Sequence, residues 1–94
     1  MIIVAGHLIV EPEQRDAYLE NCRALTATAR ATAGCFDFQL SADLLDDSRI
    51  NIFERWRGRY ELDTFRGSGT DDEQSQQIRS ADVREFIYDQ EVRL

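Results

Sequence analysis

The chain has little of what would mark it for export, a membrane or nucleic acid. Nowhere in its 94 residues is there an apolar run approaching the roughly 20 residues a spanning helix needs. Ile2-Ile3-Val4-Ala5 opens the sequence without a charged leader or a long apolar core, so it does not read as a signal peptide. The positive charges form no basic block, and the formal net charge is −7. That balance argues against nucleic acid or an anionic membrane as the main partner. There is one histidine, and the two cysteines, Cys22 and Cys35, lack C-x-x-C spacing. A structural zinc site is therefore not expected, and the cysteines should be reduced and buried, which fits the cytoplasm.

What is present is enough for one small domain, residues 1–94. A chain of this size buries only roughly 60–70% of its unfolded surface, so self-association would help it. The most informative stretch is Arg49 to Arg57. Ile50, Ile52, Glu54 and Trp56 alternate strictly with Arg49, Asn51, Phe53, Arg55 and Arg57, and a period of two predicts a β-strand. Trp56 is the only tryptophan, and it shares a face with Glu54. Such a pair can look into the space between a sheet and its cover, or can be a core tryptophan beside a glutamate at the strand's wet end.

Along the chain, Ile2 to Val10 predicts a central strand, apolar on both faces. Pro12 starts a long helix running to about residue 32, with Tyr18, Cys22, Leu25, Ala29 and Ala33 as its apolar stripe. Gly34 should end it. Cys35 to Ala42 is a second strand, joined to the Arg49 strand through Asp46-Asp47-Ser48 as an antiparallel hairpin. Tyr60, Leu62 and Phe65 fit a short helix ending near Gly67, and Gly67-Ser68-Gly69 is a break. Thr70 and Glu73 match a capping box for a second helical piece to about Arg79. Val83 to Leu94 is the last strand. The order is that of an α+β, ferredoxin-like β-α-β-β-α-β sandwich with a four-stranded antiparallel sheet.

Two helices cover one face of such a sheet. The other is expected to carry Val4, Leu8, Val10, Phe53 and Ile87, with Arg55, Arg57, Asp37 and Glu85 as a charged fringe. That is too much apolar surface for a monomer, so a homodimer through the helix-free face is expected. Under the helices, His7, Ile52, Glu54, Trp56, Tyr60 and Phe65 should converge, His7 from a strand parallel to its neighbour, on a small-molecule pocket.

The element order, Glu54-Arg55-Trp56 followed by a short helix, and the helix-ending phrase at Gly34-Cys35-Phe36 resemble the antibiotic biosynthesis monooxygenase (ABM) family over almost the whole chain. The resemblance implies a dimeric α+β barrel and, for many members, oxidation of a quinol or polyketide-type phenol by O2 without a metal or flavin. A haem-degrading branch shares the fold. It places a histidine on the second helix, where this chain has Phe65 and Arg66, and an asparagine in the first strand, where this chain has His7. That argues against haem degradation. Some oxygenase members carry an asparagine on the pocket face of the third strand; here Ile52 takes that side and Asn51 points away.

Cofactor-free oxygenation requires a base and a dry enclosure for the resulting anion. His7 is one candidate base, by its near-neutral titration; Glu54 is the other, if desolvation raises its pKa. Trp56 would stack on a planar ring, and Tyr60, Phe65, Arg66 and Tyr88 are candidate substrate contacts. A catalytic set of His7, Glu54 and Trp56 stands beside a structural reading of each: a satisfied core histidine, a salt-bridged glutamate and a packed indole. An oxygenase, a dimeric binding module for an apolar aromatic, and a cyclase or isomerase on the same scaffold all fit these residues.

Overall fold

A computed structural model describes residues 1–67 and 76–94. The strands are β1 (Ile2–Ile9), β2 (Cys35–Ala42), β3 (Arg49–Trp56) and β4 (Ser80–Ile87); the helices are α1 (Arg15–Asn21), α2 (Arg23–Ala31) and α3 (Arg59–Arg66). The sheet order is β2-β3-β1-β4, and every neighbouring pair is antiparallel. This is the expected α+β, ferredoxin-like arrangement. The strand β3 beside β1 runs antiparallel to it, not parallel, because the β2–β3 hairpin reverses the chain before β3 joins β1.

The expected long helix is three pieces. Pro12–Gln14 form a 3-10 turn with Pro12 at its start, where a missing N–H costs nothing. The chain then bends at Cys22, whose N–H is shared between the carbonyls of Tyr18 and Leu19. Cys22 thereby caps α1 and opens α2. Tyr18, Cys22 and Ala29 are buried as the stripe predicts, while Ala33 lies beyond the helix and is exposed. Gly34 takes a φ of 85°, which glycine adopts without penalty, and its carbonyl accepts the Arg57 N–H at 2.8 Å.

Register decides which side of each strand meets the helices. Ile2 pairs with Trp56, Val4 with Glu54, Gly6 with Ile52 and Leu8 with Ile50. On its other edge, β1 pairs these same residues with Ile87, Glu85, Val83 and Ala81. Directly opposed residues project to one face. Ile2, Val4, Leu8, Val10, Ile50 and Trp56 are all buried, so this is the helix-covered face. The expectation that Val4, Leu8 and Val10 face away from the helices is therefore overturned. Ile87 and Glu85 also share the helix side. Both faces of β1 are apolar, so alternation alone could not say which one the helices cover.

The core divides in two. One cluster gathers Ile2, Val4, Ala29, Phe38, Trp56, Leu62 and Phe65. The second gathers Leu8, Val10, Tyr18, Cys22 and Ile50, with Ile52 and Ile78 packed against it. The Gly6 rung lies between them. Gly6 must be glycine: its φ is 153°, and a Cβ there would overlap the carbonyl oxygen of Asp82 and come within 2.7 Å of the Val83 Cα.

The helix-free face carries Ile3, Ala5, His7 and Ile9 from β1, paired with Arg55, Phe53, Asn51 and Arg49 from β3. Phe86 of β4 opposes Ile3 and is 52% exposed. Arg55 and Asp37 do lie at the fringe, ion-paired at 3.0 Å. Arg57 instead pairs with Glu61 of α3.

β4 begins three residues before Val83 and ends at Ile87; residues 88–94 are not strand. The capping box Thr70–Glu73, and Ser68 and Gly69 of the glycine break, lie outside the described residues. Of the second helical piece, Gln76 is still helical and Ile78 is not. Among the described residues, no helix is long and apolar enough to cross a membrane.

Candidate active site

Glu54 and Trp56 do look under the helices together. The alternation of β3 puts both on the covered face, and the indole Nε1 donates a hydrogen bond to Glu54 Oε1 at 2.9 Å. Trp56 itself is fully buried. Phe65 lies against its ring at 5.2 Å between centroids, tilted 30°, and Phe38 meets Phe65 edge-on at 5.5 Å. The ring that was expected to stack on a ligand is thus occupied by the core. Its polar edge remains, and that edge serves Glu54.

Glu54 is half-buried. Burial pushes its carboxyl above the usual glutamate range; the Trp56 N–H and the positive charge of Arg66 pull the other way, and Glu85 adds to the rise. Next to the Glu54 rung is that of Gly6, which Ile52 and Val83 flank on the neighbouring strands. Ile52 is half-buried and Val83 is 38% exposed.

The rim is ionic. Glu85 sits across β1 from Glu54, both paired with Val4. Glu85 accepts Arg59 Nη2 and Arg66 Nη1, each at 2.6 Å. Those two guanidiniums hold the Glu85 carboxyl down to about 2. The arginines come from the first and last turns of α3, and β4 supplies the acid. Sequence reading put Glu85 on the wrong side of the sheet and so missed this cluster. The signal was available in the period-two run Val83, Glu85, Ile87, once β4 is paired antiparallel with β1.

Other expected members are elsewhere. His7 pairs with Asn51 and so belongs to the helix-free face, away from Glu54; it cannot serve as base there. Tyr60 is 79% exposed on the outside of α3. Tyr88 follows β4 and donates its hydroxyl to Glu91 Oε2 at 3.2 Å, beside the Arg55–Glu91 pair of the other face. Arg66 and Ile52 stay with Glu54, and Phe65 stays as the wall behind Trp56. An open groove of about 340 Å³ lies elsewhere, lined by Leu19, Arg23, Thr26, Ala27, Arg30 and Leu40. None of the expected site residues lines it. Among the described residues, no group of three or more His, Cys, Asp or Glu side chains is placed to hold a metal.

The architecture and the site define a small α+β protein with a desolvated carboxylate held beneath a helical cover. The chain belongs to the antibiotic biosynthesis monooxygenase family, whose model matches residues 1–80. Rv0793 of Mycobacterium tuberculosis is similar over 98% of both chains, at 26% identity and a TM-score of 0.78. A conserved protein of Methanosarcina mazei superposes with a TM-score of 0.79 at 18% identity, covering 90% of this chain and 89% of its own. A solved structure named antibiotic biosynthesis monooxygenase matches 96% of this chain and all of its own, at 22% identity and a TM-score of 0.78. The Synechocystis protein sll1783 is 29% identical over 62 residues; the match takes in 66% of this chain but only 42% of that relative's length. Family membership supports a monooxygenase-like function.

Proposed function

We propose that the protein is a cofactor-independent monooxygenase that oxidises a quinol or polyketide-like phenol with O2, with Glu54 as the base. The observation that carries this is the half-buried Glu54 carboxyl, raised by burial, tied to an indole N–H and sharing the covered face of its strand with Ile52. A carboxylate kept from water is a stronger base toward a phenolic O–H than one in solution. Glu54 takes the phenol's proton. The phenolate passes one electron to O2, and the resulting radical pair joins as a C–O bond to give a hydroperoxide. Loss of water then leaves a quinone. One phenol and one O2 become one quinone and one water, so the substrate itself supplies the electrons. Ile52 and Val83 would lie under its ring.

The loss of His7 from the site leaves Glu54 as its one carboxylate outside an ion pair among the described residues, which favours a second reading: a module that binds an apolar aromatic without chemistry. Oxygen-electrode runs with hydroquinones and naphthols separate the two. Oxygenation predicts uptake that stops in Glu54→Gln while far-UV circular dichroism is unchanged. Ligand-induced change in Trp56 emission with no uptake supports binding alone, and a Glu54→Gln protein as fast as wild type removes Glu54 as base.

The same proposal includes a homodimer through the helix-free face. Phe53, as expected from sequence, forms its apolar centre with Ile3, Ala5, Ile9 and Phe86, which replace Val4, Leu8, Val10 and Ile87. Phe36, 48% exposed, extends it beneath the Arg55 guanidinium at 5.1 Å. Neither Cys22 nor Cys35 is in a disulfide, which fits the cytoplasmic setting we assign.

A further inference from the structure

We propose that Glu85 is a positioning residue for Glu54: by anchoring Arg59 and Arg66 on the far side of β1, it keeps Arg66 from pairing with Glu54. The inference rests on the reading of Glu54 as a proton acceptor. A carboxylate locked to a guanidinium would stay ionised and would take protons poorly.

The geometry is that of one rung. Glu54, Val4 and Glu85 lie abreast on β3, β1 and β4, all toward the helices. Two strand spacings, about 10 Å, separate the two acidic backbones. Arg66 is near enough for its charge to act on Glu54, yet both α3 arginines are bonded to Glu85. Arg59 reaches it with two nitrogens, at 2.6 and 3.2 Å, and Arg66 with one at 2.6 Å. Glu54, by contrast, has among the described residues a single hydrogen-bond donor, the neutral indole of Trp56. The more buried acid is thus left without a charged partner, and the more exposed one has two. That distribution is the reverse of what desolvation alone would favour, since a buried charge gains most from a counter-charge.

Of the groups facing Glu54, Trp56 comes from its own strand and Glu85 from β4. Arg66 comes from α3, with Arg59 behind it, the latter 3.7 Å from Asp63. Cys35 on β2 pairs with Trp56 and so shares the face; burial first, and then the Glu54 charge, raise its thiol pKa. Arg30 of α2 donates instead to the Phe38 carbonyl. β1 contributes Val4, which does not titrate.

Because the only tryptophan donates to Glu54, its emission and its indole N–H resonance report that carboxyl directly. The test is a pH titration of both signals in the full chain. Wild type should show a midpoint above the ordinary glutamate value of about 4.3. Glu85→Gln should lower it by about one pH unit or more as Arg66 swings over. In an Arg66→Gln background, the same change should move it by less than half as much. Equal shifts in both backgrounds would mean that Glu85 acts only through its own charge, and no shift would mean that it does not act; either overturns the proposal. Should Glu85→Gln not fold, Arg66→Gln alone decides. A clamped guanidinium, already neutralised, gives a small upward shift on removal; a shift of a full unit or more refutes the clamp. The titration needs no turnover, so it can fail while oxygen uptake succeeds, and the reverse.

Discussion

Replacing Trp56 with phenylalanine would separate what the indole does for the fold from what it does for Glu54. Phenylalanine keeps a ring against Phe65 but removes the Nε1 donor. The indole is fully buried. Truncating such a residue to alanine costs about 3–5 kcal/mol, and phenylalanine keeps most of the packing, so that part is about 1–2 kcal/mol. Losing the donor leaves a half-buried carboxylate without its hydrogen bond, which costs about 1–3 kcal/mol while the group is ionised. The sum, about 2–5 kcal/mol, is a large share of a small domain's stability.

The two parts differ in their pH dependence. Glu54 has a folded-state pKa raised above its unfolded value, chiefly by burial. Its contribution is fully present below the unfolded value and is lost as pH rises through the folded one. Trp56 limits that loss by favouring the ionised form. Trp56→Phe should therefore cost more at pH 8 than at pH 4, where mainly the packing part remains. Urea unfolding followed by far-UV circular dichroism, at one fixed protein concentration, measures this. In a Glu54→Gln background the cost should be the same at both values. If the cost of Trp56→Phe in the otherwise wild-type chain agrees within about 0.5 kcal/mol between pH 4 and pH 8, the indole–carboxylate link carries no energy and the tryptophan is core alone.

Gly6→Ala should destabilise by more than about 3 kcal/mol or prevent folding, since the new methyl group meets the Asp82 carbonyl; a thermal melt would show it. Asp43 and Glu85 are both held at about 2, Asp43 first by the Asn51 amide and Glu85 first by Arg59. Depressed folded values mean that their contributions are present above the ordinary carboxylate range and vanish as pH falls through about 2. The Tm should accordingly drop between pH 4 and pH 2, and less steeply in Glu85→Gln. Phe53→Asp, at the centre of the helix-free face, should give a folded monomer in sedimentation at concentrations where wild type is dimeric; an unchanged dimer would move the interface elsewhere.

The strands β1, β2 and β3 were legible because period-two alternation, Gly34 and the Asp46–Ser48 turn each state a local preference. So was the direction of Glu54 and Trp56, which depends only on β3. What failed needed information from another strand. His7 and Glu54 were brought together on the assumption that β1 faces its odd residues inward, yet both faces of β1 are apolar and only the pairing Val4–Glu54 settles it. The bend at Cys22 was hidden because its apolar stripe continues unbroken through Leu25 and Ala29. Local preference starts the last strand at Val83, whereas Ser80, Ala81 and Asp82 pair with β1 despite low strand preference. Tertiary pairing overrides such preferences routinely.

The last strand is exposed at all eight of its positions. It adheres to the molecule by its ladder to β1 and by the salt link from Arg59 and Arg66 to Glu85, with almost no apolar adhesion beneath it. A segment held that way should exchange its amide protons sooner than its three companions in an isolated subunit. A second copy resting on Phe86, on the helix-free face, would slow that exchange, so deuterium uptake along residues 80–87 would double as a gauge of the proposed assembly.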